Sequence, residues 1–230
     1  MTNSLATSTV GVELLDDPAA DPRMVAQSLR SIALSNRWFG GRAAMRFGLA
    51  RALERTAPGA LTLFDVGTGA ADLPRDAEQW GRSRGYSIRG FGIDRSYPAA
   101  QVARCNGVAT VVGCAGTLPL RDRSVDLVLV SQVIHHLTQP AATQLLSESR
   151  RVARRAVIVC DLRRARLAQA GFWLGSRVLG FDAATRADGI TSVRRGYLVP
   201  ELGELMAAAG MAAPVWARPG YRLVAVWRRD

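Results

Sequence analysis

The 230-residue sequence contains no lysine; all 30 of its basic residues are arginines. Cysteine and histidine are almost as scarce: Cys105, Cys114 and Cys160 form no Cys-x-x-Cys pair, and only His135 and His136 could join them as soft ligands. An odd cysteine count argues against a disulfide framework, and this spacing holds no zinc pattern, so no metal is expected. No apolar run reaches the roughly 20 residues that cross a bilayer. Residues 1–23, MTNSLATSTVGVELLDDPAADPR, lack the basic and apolar regions of a secretory signal, and Pro18 and Pro22 punctuate them. The expectation is a reduced, cytoplasmic chain with a flexible start.

Arginine carries the formal charge to +11, which raises the question of nucleic acid. The arginines run from Arg23 to Arg229, with local clusters at RRVARR (150–155) and RRAR (163–166), and aromatics are not interleaved among them for base stacking. Solvated faces explain this spread best, an acidic-partner surface next, and nucleic acid last.

What is present is a regular alternation. Residues 22–57 carry helical spacing broken near NRWFGG, where Gly40 and Gly41 predict two helices. Strands are predicted at 61–66, 85–94, 109–115, 124–132 and 156–161, with helices at 70–83, 96–107 and 140–153 between them. Such alternation implies parallel strands with helical crossovers, hence a three-layer α/β sheet. Residues 162–199 then read as two helical pieces with a polar loop containing RADG. A helix at 199–210 and a hairpin of two strands turning at Pro219–Gly220 close the chain. The expected organisation is a flexible 1–22, a helical cap at 23–57, a ligand-binding core at 58–161, a cap insertion at 162–199, and a helix and hairpin at 200–230 completing the core.

The stretch FDVGTGAADLP (64–74) holds the chemistry. Gly67 and Gly69 let backbone N–H groups approach a ligand at a strand's carboxyl end. A dinucleotide fingerprint would place a third glycine where Asp72 stands, and an acid there opposes a pyrophosphate but favours a cation. DVGTGAAD resembles the first motif of class I S-adenosylmethionine-dependent methyltransferases, acid-x-Gly-x-Gly-x-Gly, with Ala71 in place of the last glycine. GFGID, ending in Asp94, and VVGCAGTLPLRDRSVDLVLVSQVIHHL (111–137) resemble the segments that follow in that family. The resemblance covers about 61–161. It implies a Rossmann-like, mostly parallel seven-stranded sheet with an antiparallel terminal strand. It also implies S-adenosylmethionine as cofactor, held by Asp65, Gly67, Thr68, Gly69, Asp72, Asp94, Arg95, Cys114, Ala115, Ser131 and Gln132. Asp94 would take the ribose hydroxyls, or cap a helix. Asp72 would contact the cofactor, or stabilise the first turn of its helix. Asp126 reads as structural.

Methyl transfer to oxygen or an acidic carbon needs positioning and removal of a proton. His135 and His136 follow the fourth strand on the ligand side, and either is a candidate base. Asp161, ending the fifth strand, would orient the substrate or a histidine; the alternatives are a helix cap or an ion pair with Arg163 or Arg164. Trp38, Phe39, Phe172, Trp173 and Tyr197, from segments 36–45 and 170–197, are candidate walls for a flat acceptor. Those flanks resemble the methyltransferases found beside type III polyketide synthases and the ubiquinone and menaquinone methyltransferases, which implies O-methylation of a small aromatic, polyketide-derived or quinone-like acceptor in secondary metabolism. C-methylation of a quinol is the alternative. SQVI stands where amino-group methyltransferases of bases carry Asn-Pro-Pro-Tyr, and this sets nucleic-acid and protein substrates below small molecules. The N-terminal helices offer a surface for a homodimer.

Overall fold

A computed structural model of the protein describes residues 15, 17 and 19–229. Most of the flexible start expected at 1–22 lies outside the described residues. Two helices open the described chain, α1 (Pro22–Trp38) and α2 (Gly41–Ala52). Pro22 begins α1, where its missing N–H costs nothing, and the Asp21 carboxylate accepts the Arg23 N–H at 2.7 Å. There follow β1 (Ala60–Val66), α3 (Asp72–Arg82), β2 (Ser87–Asp94), α4 (Tyr97–Cys105), β3 (Ala109–Val112) and β4 (Val125–Ser131). A single 3₁₀ turn, Ile134–His136, leads into α5 (Gln139–Val152) and β5 (Ala153–Leu162). The chain ends with α6 (Arg166–Val178), α7 (Ala183–Arg195), α8 (Val199–Ala208), β6 (Val215–Arg218) and β7 (Arg222–Arg228).

The seven strands lie in the order β3-β2-β1-β4-β5-β7-β6, and only β7 runs antiparallel to its neighbours. The Rossmann-like sheet expected from the sequence is therefore present. β4, at its centre, is buried along its whole length, as a strand covered on both faces must be. Leu127 and Leu129 enter one core with Met45, Leu49, Leu73 and Trp80 of α2 and α3. Their alternates Val128 and Val130 enter the other, with Leu145, Leu146, Leu202 and Met206 of α5 and α8. Strand order reverses between β1 and β4, so the crevice at their carboxyl ends is where a ligand is received. Asp126 sits at the far end of β4. It accepts the Thr62 N–H and hydroxyl at 3.0 and 2.9 Å and pairs with Arg154 and Arg155.

Three local expectations need correction. β3 stops at Val112 rather than continuing to 115, because Gly113 turns its N–H onto the Asp94 carbonyl and the chain leaves the sheet edge. β5 starts at Ala153, directly at the end of α5, and so is longer than its apolar run. The RADG segment (186–189) is not a loop but lies inside α7. Asp182 caps that helix by accepting the Thr185 N–H at 2.9 Å and its hydroxyl at 2.7 Å. Gly189 belongs there for space, since a Cβ would stand 2.2 Å from the Phe172 ring.

Candidate active site

A cavity of about 460 Å³ opens at the carboxyl ends of β1, β2 and β4, roofed by α1, α6 and α7. One half is built by the glycine turn. Gly67 and Gly69 have φ of +71° and +51°, in the left-handed region, and a Cβ on Gly67 would come within 2.5 Å of Val133. Ala71 takes the same kind of conformation, φ +58°, at the position where the resemblance places a third glycine. It tolerates it while buried against Ala103 and Val108.

Three carboxylates surround this turn. Asp65 is buried and accepts the Thr68 hydroxyl at 2.8 Å; burial, reinforced by the negative charges of Asp72 and Asp94, pushes its carboxyl up to about 8. Asp94 accepts the Gly69 N–H and the Ser96 N–H, each at 2.9 Å, so it braces the glycine turn, while Ser96 is the residue that caps α4. Burial raises its pKa too, against the pull of those N–H groups. Asp72, in the first turn of α3, is raised by burial and held back by Asn36 and Arg42. Three acids made reluctant to ionise around a turn that leaves no room for side chains suit a ligand that brings positive charge and needs close backbone approach. S-adenosylmethionine, with an ammonium and a sulfonium, meets both conditions. Arg95, Cys114, Ala115, Ser131 and Gln132 line the same cavity.

The other half holds the histidines. The 3₁₀ turn after β4 brings His135 under the cap, where Nδ1 lies 2.6 Å from Oδ1 of Asp161 at the end of β5. Burial alone would raise the Asp161 pKa. The charge and hydrogen bond of His135, with the Leu162 N–H at 2.7 Å, outweigh it and hold the carboxyl below its ordinary value. An ionised carboxylate only accepts, so the Nδ1 atom carries hydrogen, and in the neutral form of the ring Nε2 is the atom that holds the lone pair. That Nε2 is buried and has no hydrogen-bond partner among the described residues, although His135 forms part of the cavity wall. Asp161 thus neither caps a helix nor pairs with Arg163 or Arg164. His136 stacks on His135 with ring centroids 4.2 Å apart and accepts from Arg195 at its Nδ1, 3.3 Å away.

A chain of hydrogen bonds runs along the cavity from β7 to the first turn of α3. Arg222 Nη1 donates to Gln132 Oε1 (2.7 Å), Gln132 Nε2 donates to Asn36 Oδ1 (2.7 Å), and Asn36 Nδ2 reaches both Asp72 oxygens (3.3 and 3.4 Å). Gln132 holds φ +56° to make these contacts. Arg222 also donates to the Phe39 carbonyl, and burial pulls its pKa down to about 10. Neither Asn36 nor Arg222 stood out in the sequence. Arg222 opens a strand of five consecutive apolar residues, Leu223 to Trp227, and reads there as a solvated end. Only the pairing of β7 beside β5 shows that it is interior.

Of the expected aromatic walls, Trp38, Phe39 and Phe172 do line the cavity, with Phe39 and Phe172 ring centroids 5.6 Å apart. Trp173 and Tyr197 do not. Trp173 is on the outer side of α6 beneath the Arg177 guanidinium, because helical geometry turns it away from its neighbour Phe172. Tyr197 is committed to structure: its hydroxyl donates to the Ile134 carbonyl at 3.0 Å and its backbone bridges to Arg163.

Residues 64–160 match the family model of a methyltransferase domain. No curated protein matches the chain. Among solved structures it resembles an S-adenosylmethionine-dependent methyltransferase from Aquifex aeolicus, at 18% identity and TM-score 0.58, covering 90% of this chain and 98% of that one. Human N-acetylserotonin methyltransferase, in complex with S-adenosylmethionine, matches at 12% identity and TM-score 0.63, over 91% of this chain and 57% of that one. An O-methyltransferase from neocarzinostatin biosynthesis matches at 19% identity and TM-score 0.64, over 94% of this chain and 62% of that one. At these identities the structural likeness speaks to the fold.

Proposed function

We propose that this S-adenosylmethionine-dependent methyltransferase acts on a hydroxyl of a small aromatic, polyketide-derived or quinone-like acceptor, with His135 as the general base. The observation that carries the reading is the His135–Asp161 pair, buried in the cavity wall with an unpartnered Nε2. The bound cofactor supplies an electrophilic methyl group; the chain supplies everything else. Asp65, Asp72 and Asp94 with the Gly67–Gly69 turn would hold the cofactor. Phe39, Phe172 and Trp38 would form an aromatic wall for the acceptor ring. The acceptor hydroxyl would lie against His135, whose Nε2 takes its proton as the oxygen–methyl bond forms. Asp161 fixes the tautomer at Nδ1 and stabilises the imidazolium that results. His136, anchored to Arg195, would keep the His135 ring in plane with its partner.

The neocarzinostatin O-methyltransferase that shares the fold is bound to 1,4-dihydroxy-2-naphthoic acid, a flat dihydroxylated ring of the kind this cavity would accept. The reading is tested by incubating the enzyme with methyl-¹³C-labelled S-adenosylmethionine and a panel of phenols, naphthols and pyrones, and reading the product by NMR. The expected product carries its label at an O-methyl carbon and is lost in His135→Ala. A label at a ring-attached methyl carbon, or transfer undiminished in His135→Ala, would overturn it.

A further inference from the structure

We infer that the outer face of α6 is a docking surface for an anionic lipid bilayer. This helix is apolar on both sides. Its inner side buries Ala168 and turns Phe172 to the cavity, as a cap helix must. Its outer side would ordinarily be polar, yet Leu167, Leu174 and Val178, spaced for one helical face, are 71%, 60% and 81% exposed. Ala170 falls between them, also exposed. Trp173 stands at the edge of this face, 49% exposed, with the Arg177 guanidinium 3.6 Å over its ring. Arg166 is exposed near the other end.

Charge selects the occupant. Arg166 and Arg177 are the charged residues of α6, which holds neither Asp nor Glu, while Arg164 just ahead of it is already paired with Glu201. A second copy related by a two-fold axis would set these arginines against their equivalents, within a chain already at +11. A bilayer bearing negative headgroups accepts them, and the surface has the composition of an interfacial helix: exposed leucine and valine, a tryptophan at the boundary and arginine alongside. Its position gives it a purpose. Gly171 and Phe172 line the cavity and Trp38 forms its rim, so a bilayer under α6 would lie beside the entrance through which a greasy acceptor passes. This inference stands apart from the identity of the base.

Flotation with vesicles tests it. The full-length protein is mixed with phosphatidylcholine vesicles, or with phosphatidylglycerol and phosphatidylcholine mixed at roughly 1:2, at low and high salt. The comparison is Leu174→Glu/Val178→Glu, two residues outside the cavity, with calorimetric binding of S-adenosylhomocysteine confirming that each protein is folded. The expected result is partition into the anionic vesicles, at least about tenfold weaker for neutral vesicles, for high salt and for the double variant. Cofactor-product binding should be equal in both proteins. Absence of partition by the folded wild type, equal partition by the double variant, or equal affinity for neutral vesicles would each overturn the inference. So would a wild-type dimer that dissociates in the double variant without any vesicle binding, which would assign the face to self-association.

Discussion

Asp161 and Asp65 are both carboxylates buried at the ends of β5 and β1, the strands on either side of β4, and their surroundings drive them in opposite directions. Asp161 has His135 and the Leu162 N–H to answer its charge, while Asp65 has one hydroxyl and two other acids nearby. For Asp161 the consequence is chemical. Replacing it with Asn keeps the shape but removes the charge that stabilises an imidazolium, so Asp161→Asn should lower kcat by about 10²-fold or more with little change in cofactor affinity, as read by steady-state kinetics and calorimetry. For Asp65 the consequence is a linkage. Its folded pKa of about 8 exceeds the unfolded value near 4, so between those values the unfolded chain releases a proton that the folded one retains. Its contribution to stability therefore falls as pH rises from 4 to 8, and Asp72 and Asp94 act in the same sense. Asp161, whose folded pKa is depressed, contributes stability that is lost only as pH falls below about 4. Thermal melts of the ligand-free protein should thus show Tm declining across pH 4–8. The decline should shrink in Asp65→Asn, and cofactor affinity in the wild type should tighten over the same range. A flat profile would show that Asp65 is already ionised in the ligand-free protein.

At the scale of elements, α1 matters because it hangs on the sheet through Asn36. Asn36→Ala would leave Gln132 and Asp72 each short of a partner in a buried setting, a cost of about 1–3 kcal/mol in unfolding free energy. It should also weaken cofactor binding, since Asp72 borders that site. Gly189→Ala probes the opposite side of the roof. The added Cβ would displace the Phe172 ring, so the acceptor KM should rise while cofactor affinity holds. The helices and strands of the core were legible because each carries its own periodicity, and the glycine turn was legible because strand, acid and glycines are contiguous. The cap insertion was harder. RADG has the composition of a turn, and nothing local reveals that Asp182 caps a helix through it or that Gly189 makes room for a ring from α6. The histidine pair could not be resolved for a similar reason: which ring meets Asp161 is decided by the 3₁₀ turn, and both histidines share one sequence context. Asn36, Gln132 and Arg222 meet only through tertiary pairing. Trp173 was misplaced because a helix sends adjacent residues Phe172 and Trp173 to different faces.

The whole molecule is a doubly covered sheet whose reversal between β1 and β4 opens one crevice, with three helices closing it from above. Asp65, Asp72, Asp94 and Asp188 line the crevice, while other acids pair with arginines away from it, as Glu148 and Asp122 do with Arg151. A ligand that ties α1, the glycine turn and the β2 end together should stabilise the fold as a unit. S-adenosylhomocysteine at about a hundred times its Kd contributes roughly 2.7 kcal/mol, so Tm should rise by about 5–10 °C in a calorimetric scan. Asp94→Ala, which removes the brace on Gly69, should lose that rise.

The proposed role of His135 is to remove the acceptor proton without any part in holding the cofactor. It is tested most directly by measuring, on one preparation of His135→Ala, both kcat with a phenolic acceptor and the Kd for S-adenosylmethionine. The expected result is kcat reduced by about 10²–10⁴-fold and Kd within about twofold of the wild type. Retained kcat, or a Kd weakened in step with kcat, would contradict it.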